Sequence, residues 1–138
     1  MIDIPPAAHG EFIPILDFGG QTAQLIARRV RDSGVYSVLV APDVDPAALA
    51  RLKPKGIILS GGPSSVYDPG APTCNPAIFD LGIPVLGICY GLQLAAHLLG
   101  GTVSPGTHRE FGRANLSLTT DNPLFKGLPP QTTVWMSH

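Results

Sequence analysis

Cys89 lies in Gly87-Ile88-Cys89-Tyr90-Gly91, directly after the apolar run Ile83-Pro84-Val85-Leu86 and directly before the helix-like stretch Leu92-Gln93-Leu94-Ala95-Ala96-His97-Leu98-Leu99. A strand, a cramped turn and a helix are expected, with a thiol on the turn. This is the G-x-S-x-G elbow with cysteine in place of serine: flanking glycines let the nucleophile occupy a strained turn and project from the top of a sheet. Unpaired N–H groups and aligned peptide dipoles at the start of the following helix favour the thiolate over the thiol. The chemistry suited to such a group is a covalent acyl intermediate on sulfur. Free cysteines are also common as inert packing, but the strand-to-helix placement favours the nucleophile.

A second candidate is Ser60-Gly61-Gly62-Pro63, which follows the apolar run Gly56-Ile57-Ile58-Leu59. Read alone it is equally a tight turn. Beside a nucleophile, the N–H groups of Gly62 and Tyr90 could together stabilise a tetrahedral oxyanion. Metal chemistry finds little support, because no two of Cys74, Cys89, His97 and His108 have zinc-ligand spacing.

These groups need a scaffold. Phe12–Leu16 reads as a buried strand leaving through Asp17-Phe18-Gly19-Gly20, and Gln21–Ser33 reads as an amphipathic helix with Leu25, Ile26 and Val30 on one side. Val35–Ala41 reads as a second strand, Asp45-Pro46 as the cap and first turn of a short helix, and Gly56–Ser60 as a third strand. Pro76–Leu81 is a brief helix and Pro84–Ile88 the strand before the elbow. After the elbow, Leu92, Ala95, Ala96 and Leu99 recur at helical spacing and are expected to face the sheet. Beyond Thr102, Ala114–Thr119 and Thr133–Met136 alternate like strands and suggest an antiparallel extension. Strands alternating with helices imply an α/β domain, a mainly parallel sheet with helices on both faces. In such a sheet ligands bind beyond the carboxyl ends of the strands, where three of these turns emerge.

Composition narrows the function classes. With 138 residues, 44% hydrophobic content, 14% charged residues and a net charge of −1, the chain reads as a globular domain without a basic stripe. Arg28-Arg29-Val30-Arg31 fits a solvated helix face, so no nucleic-acid partner is expected. No apolar run approaches the roughly 20 residues that span a bilayer, and Met1-Ile2-Asp3-Ile4-Pro5-Pro6 lacks a signal-peptide pattern, so no membrane partner and a cytoplasmic setting are expected. Two cysteines make no disulfide framework. Residues 1–11 read as a loose leader and 12–138 as the domain.

Taken together, Leu16-Asp17-Phe18-Gly19-Gly20-Gln21, Ile58-Leu59-Ser60-Gly61-Gly62-Pro63 and Gly87-Ile88-Cys89-Tyr90-Gly91-Leu92-Gln93 resemble the class I glutamine amidotransferases, whose sheet is flavodoxin-like. More narrowly, Arg109-Glu110-Phe111-Gly112 and Val134-Trp135-Met136-Ser137-His138 are similar to the amidotransferase domain of GMP synthetases. The resemblance implies hydrolysis of L-glutamine to glutamate and ammonia, with the ammonia passed to XMP on an ATP-pyrophosphatase domain in the same or a partner chain. It makes Cys89 the nucleophile, Gly62 and Tyr90 the backbone oxyanion donors, and Gln93 and Ser137 contacts to glutamine. No cofactor is implied for this domain; ATP and Mg2+ belong to the synthetase domain.

Two departures stand out. Gly20-Gln21-Thr22 replaces the family's Ser-Gln-Tyr, a variation that keeps a permissive turn. The family's catalytic histidine and glutamate come from a His-Pro-Glu segment that does not occur in the sequence, so the chain is expected to be a partial domain, inactive alone. His97, eight positions after Cys89, would lie about 12 Å along a helix, and neither His9, His108 nor the terminal His138 is a convincing base. The alternatives are an amidotransferase subunit of another pathway and a non-catalytic module that docks on a partner.

Overall fold

The computed structural model describes residues 11–104, 111–119 and 122–137. They fall into two compact units divided between Val103 and Ser104.

The first unit is built on four strands: β1 (Phe12–Leu16), β2 (Tyr36–Val40), β3 (Ile57–Leu59) and β4 (Val85–Gly87). Their order in the sheet is β2-β1-β3-β4 and every pairing is parallel. The register sets Leu16 opposite Leu59 and Leu59 opposite Gly87, one row across three strands at their carboxyl ends. β1 and β3 at the centre are buried almost throughout, as a parallel sheet covered on two sides requires.

Alternate strand residues feed two apolar layers. Leu16, Val40, Ile57 and Leu59 pack on one face with Leu49 of α2 (Pro46–Arg51), Ile78 of a 3-10 turn (Pro76–Asp80), and Tyr90 and Leu94 of α3 (Tyr90–Leu98). Ile15 and Ile58 pack on the other face with Ala27 of α1 (Thr22–Asp32). Helices thus cover both faces, as expected. Capping is as the sequence predicts for α2, where the Asp45 side chain accepts from the Ala47 amide at 3.2 Å and Pro46 occupies the first turn.

Two expectations about helix faces need correction. On α1 the buried residues are Ala23 and Ala27, with Ile26 and Val30 half-buried, while Leu25 is 51% exposed. The inward stripe runs 23-26-27-30, and its two alanines let the helix lie close to the sheet. On α3, Leu92 and Leu99 are exposed at 59% and 66%, and Tyr90, Gly91 and Leu94 are buried. The stripe runs 91-94-95-98, turned by one residue from the expected one. Gly91 sets that phase: a β-carbon there would lie 2.3 Å from the Leu59 carbonyl oxygen, so the helix backbone itself seats on β3.

The second unit is an antiparallel pair, β5 (Phe111–Ser117) and β6 (Gln131–Ser137), in register from Phe111 opposite Ser137 to Ser117 opposite Gln131. A 3-10 turn (Pro123–Phe125) capped by the Asn122 side chain lies between them. The strands begin earlier than the alternation suggested, at Phe111 and Gln131. No described helix is long and apolar enough to cross a membrane.

Candidate active site

Three loops leave the carboxyl ends of β1, β3 and β4, which are neighbours in the sheet although far apart in sequence. After β1, the Asp17 carboxylate accepts from the Gly19 amide at 2.9 Å and turns the chain, leaving Phe18 buried. After β3, Ser60 and Gly61 are buried, and the Ser60 amide donates to the Leu16 carbonyl at 3.1 Å. After β4, the Ile88 amide donates to the Leu59 carbonyl at 3.0 Å, and the chain turns sharply at Cys89.

Cys89 has φ 54° and ψ −115°, one of two described non-glycine residues with positive φ. A side chain in this region is strained by about 1–3 kcal/mol, held only because the surroundings fix it. Several bonds do so. The Gly91 amide donates to the Ile88 carbonyl at 2.9 Å and to the Ser60 carbonyl at 3.1 Å. The Cys89 carbonyl accepts from the Leu92 and Gln93 amides, each at 3.1 Å. The result is an exposed thiol on a buried base, since Cys89 is solvent-accessible and the adjoining Tyr90 is 1% exposed.

Tyr90 anchors the elbow through its side chain. Its ring meets Phe18 at a centroid distance of 5.5 Å, and its hydroxyl donates to the Pro72 carbonyl. Burial pushes its hydroxyl pKa up, and the charges of Cys74 and Asp68 add to that. Cys74 is buried in the same apolar layer, and burial pushes its thiol pKa up as well. The two cysteines therefore differ sharply: Cys74 is a packed, neutral thiol and Cys89 an open one.

The Ser60-Gly61-Gly62 turn packs close against Cys89. A β-carbon built on Gly61 would lie 3.3 Å from the Cys89 Cβ and 3.7 Å from the Thr22 Oγ1. Among the described residues, the Gly62 and Tyr90 amides donate to no protein acceptor. Gln93, half-buried, stands one helical turn after Cys89. The structure thus brings Cys89, Gly62, Tyr90 and Gln93 to one edge of the sheet. Ser137 ends β6 in the second unit, opposite Phe111. His97 is exposed in the last turn of α3, edge-on to the Tyr67 ring at 5.8 Å. Residues 1–10, with His9, and the residues His108, Arg109, Glu110 and His138 lie outside the described residues. No three His, Cys, Asp or Glu side chains among the described residues are grouped to hold a metal ion.

Sequence reasoning passed over two residues here. Thr22, noted only as a departure from a pattern, flanks Gly61. Ser60, read as the end of the third strand and the start of a turn, lies just past β3, is 0% exposed and is bonded on both sides of its hydroxyl; a serine directly after a wholly apolar strand was the available signal.

The fold and the elbow define a class, and comparison with known proteins agrees: the family described as glutamine amidotransferase class-I matches residues 14–138, and the chain belongs to that family. Within it, the chain is 55% identical over 134 residues to a GMP synthase [glutamine-hydrolyzing] of Thermomicrobium roseum, covering 97% of this chain and 25% of that protein. It is 56% identical over 128 residues to the GMP synthase [glutamine-hydrolyzing] of Geobacillus kaustophilus, covering 93% and 25%. The crystal structure of a Thermoplasma acidophilum protein, assigned as one of the subunits of a GMP synthase, superposes with a TM-score of 0.77 at 32% identity, covering 93% of this chain and 64% of that one. The chain spans about a quarter of the length of the curated relatives it matches.

Proposed function

We propose that this chain is the glutamine-hydrolysing part of a GMP synthase, and that it acylates Cys89 with the side chain of L-glutamine. The observation that carries the reading is the exposed Cys89 on a strained turn beside the unengaged amides of Gly62 and Tyr90. The Cys89 sulfur attacks the side-chain amide carbon, and the carbonyl oxygen gains negative charge opposite those two N–H groups. The tetrahedral species collapses as the nitrogen takes a proton; the C–N bond breaks, ammonia leaves and a γ-glutamyl thioester remains. Water then releases glutamate and restores the thiol. Gln93, on the half-buried side of α3 next to the elbow, and Ser137 are the contacts to glutamine in this reading.

The proton that leaves the thiol and reaches the departing nitrogen needs a carrier within hydrogen-bond distance. His97 is about 12 Å along α3 from Cys89 at 1.5 Å per residue and engages Tyr67 instead. A His-Pro-Glu segment supplied with this chain would do that work; without it, acylation is slow and turnover negligible. The ammonia passes to an ATP-dependent, XMP-aminating domain, which uses Mg2+, in a cytoplasmic setting where Cys74 and Cys89 stay reduced.

The test is alkylation by a diazoketone analogue of L-glutamine, followed by mass mapping. Modification at Cys89, slowed by L-glutamine and not by D-glutamine, is expected. A Cys89 reaction indifferent to L-glutamine would overturn the assignment, since exposure alone already separates it from Cys74.

A further inference from the structure

The Ser60 hydroxyl is fully buried and has two partners. The Phe18 amide reaches its Oγ at 3.1 Å, and Oγ reaches the Gly61 carbonyl at 3.0 Å. Directions are forced: an amide N–H can only donate and a carbonyl can only accept, so Oγ accepts from Phe18 and donates to Gly61. One hydroxyl therefore ties the loop after β1 to the loop after β3.

The Gly61 carbonyl belongs to the same peptide unit as the Gly62 amide. That unit is planar and trans, so its C=O and N–H point in opposite directions. A hydrogen bond that holds the carbonyl on the Ser60 side also turns the Gly62 N–H away from it. Packing on both sides of the unit reinforces this. A β-carbon on Gly20 would lie 2.7 Å from the Gly61 oxygen, and one on Gly62 would lie 2.5 Å from the Phe18 oxygen. Both glycines leave room that the peptide fills, yet glycine backbones are the most easily rotated. Without the hydroxyl, the 61–62 unit has no directional hold on its carbonyl among the described residues, and its N–H loses a fixed direction.

We propose that Ser60 is a positioning residue for the oxyanion donor: its hydroxyl fixes the Gly61–Gly62 peptide so that the Gly62 N–H stays aimed at charge forming on the substrate. This rests on the proposed glutamine chemistry at Cys89 and adds to it a residue that touches neither glutamine nor the sulfur. Preorganised donors act because they need no reorientation when charge appears.

The experiment uses the full chain and three probes of Cys89. L-Glutamate γ-semialdehyde adds reversibly: the sulfur–carbon bond forms, the C=O π bond opens, and the thiol proton ends on the new oxygen, which must sit in the hole. Iodoacetamide alkylates by displacing iodide at a methylene carbon and forms no new oxygen at the attacked carbon to occupy the hole. L-Glutamine protection of Cys89 against iodoacetamide reads the ground-state pocket alone. In Ser60→Ala, aldehyde affinity is expected to fall by roughly 10- to 100-fold, part of the 10²–10³ that losing a whole donor costs. The iodoacetamide rate and glutamine protection should stay within about twofold. Gly20→Ala, whose added carbon presses on the same carbonyl, should give the same split. Buried Cys74, which iodoacetamide labels only in an unfolded chain, reports folding in the same reaction. An unchanged aldehyde affinity in either folded variant overturns the proposal, as does a uniform loss of all three signals. A wild-type chain that binds no aldehyde would instead sink the glutamine reading itself.

Discussion

The Gly91 amide donates to the Ser60 carbonyl at 3.1 Å, a bond that joins the Cys89 turn after β4 to the Ser60–Gly62 turn after β3. It can form only because α3 enters with its backbone against β3, and the contact is tight. A β-carbon on residue 91 would meet Leu59 backbone atoms at 2.3 and 2.7 Å. Gly91→Ala is therefore expected to destabilise the chain by about 3 kcal/mol, since the neighbour is backbone and cannot rotate away. Gly56→Ala, where the nearest atom would be 3.6 Å off, should change stability by less than about 0.5 kcal/mol. Urea midpoints of the two variants check the contrast.

Strain at Cys89 gives a second expectation. Glycine adopts φ 54°, ψ −115° without the side-chain penalty that Cys89 carries. Cys89→Gly should raise stability by about 1 kcal/mol while removing all reactivity toward glutamine analogues, and Cys89→Ala should not raise it. Equal midpoints for the wild type and Cys89→Gly would show that the turn is unstrained.

Alkaline pH should act through Cys74 and Tyr90. Both groups are pushed above their ordinary values of 9.0 and 10.0, with burial as the largest cause. In the unfolded chain they ionise first, so above these values the unfolded state binds fewer protons than the folded one. Their contribution is whole below about pH 9 and is lost as pH rises through the folded-state values. Urea titrations from neutral pH to about pH 11 should show a flat region and then a decline, shallower in Tyr90→Phe. That variant should also cost about 1 kcal/mol at neutral pH by freeing the Pro72 carbonyl. A curve flat throughout would contradict the burial of both groups.

The phase of α3 gives a fourth. Leu94, 3% exposed, should cost about 2–4 kcal/mol when cut to alanine. Leu92→Gln, at an exposed position, should cost less than about 0.5 kcal/mol. If the two costs were reversed, the stripe 92-95-96-99 would be the inward one.

Much of this was legible before any coordinates. Apolar runs ending in Gly-rich turns announced β1, β3 and β4, and the Gly87–Gly91 pattern placed Cys89 on a turn before a helix. Periodicity placed Ile26 and Val30 correctly but turned Leu25 inward on α1 and rotated the stripe of α3 by one residue, because it weighs large apolar side chains and overlooks Ala23, Ala27 and Gly91. Small residues gain inward positions through backbone proximity, which leaves no hydropathy signal. The position of Ser60 after an apolar strand was visible, but its bonds were not: they depend on Phe18, 42 positions earlier, and on a carbonyl that any residue would have.

The row Leu16–Leu59–Gly87 has a bearing on how the family can vary. Phe18, Gly61 and Cys89 each stand two residues beyond that row, in the loops that leave three adjacent strands. The spacing between sulfur-bearing turn and donor-bearing turn is thus tied to the interstrand repeat, about 4.8 Å, which backbone hydrogen bonds set and side chains do not. Strand residues can drift among Ile, Val and Leu, altering stability, while the ruler of the site stays constant. An insertion or deletion inside β3 is different: it would slide Gly61 by a full residue against Cys89 and change the chemistry at once.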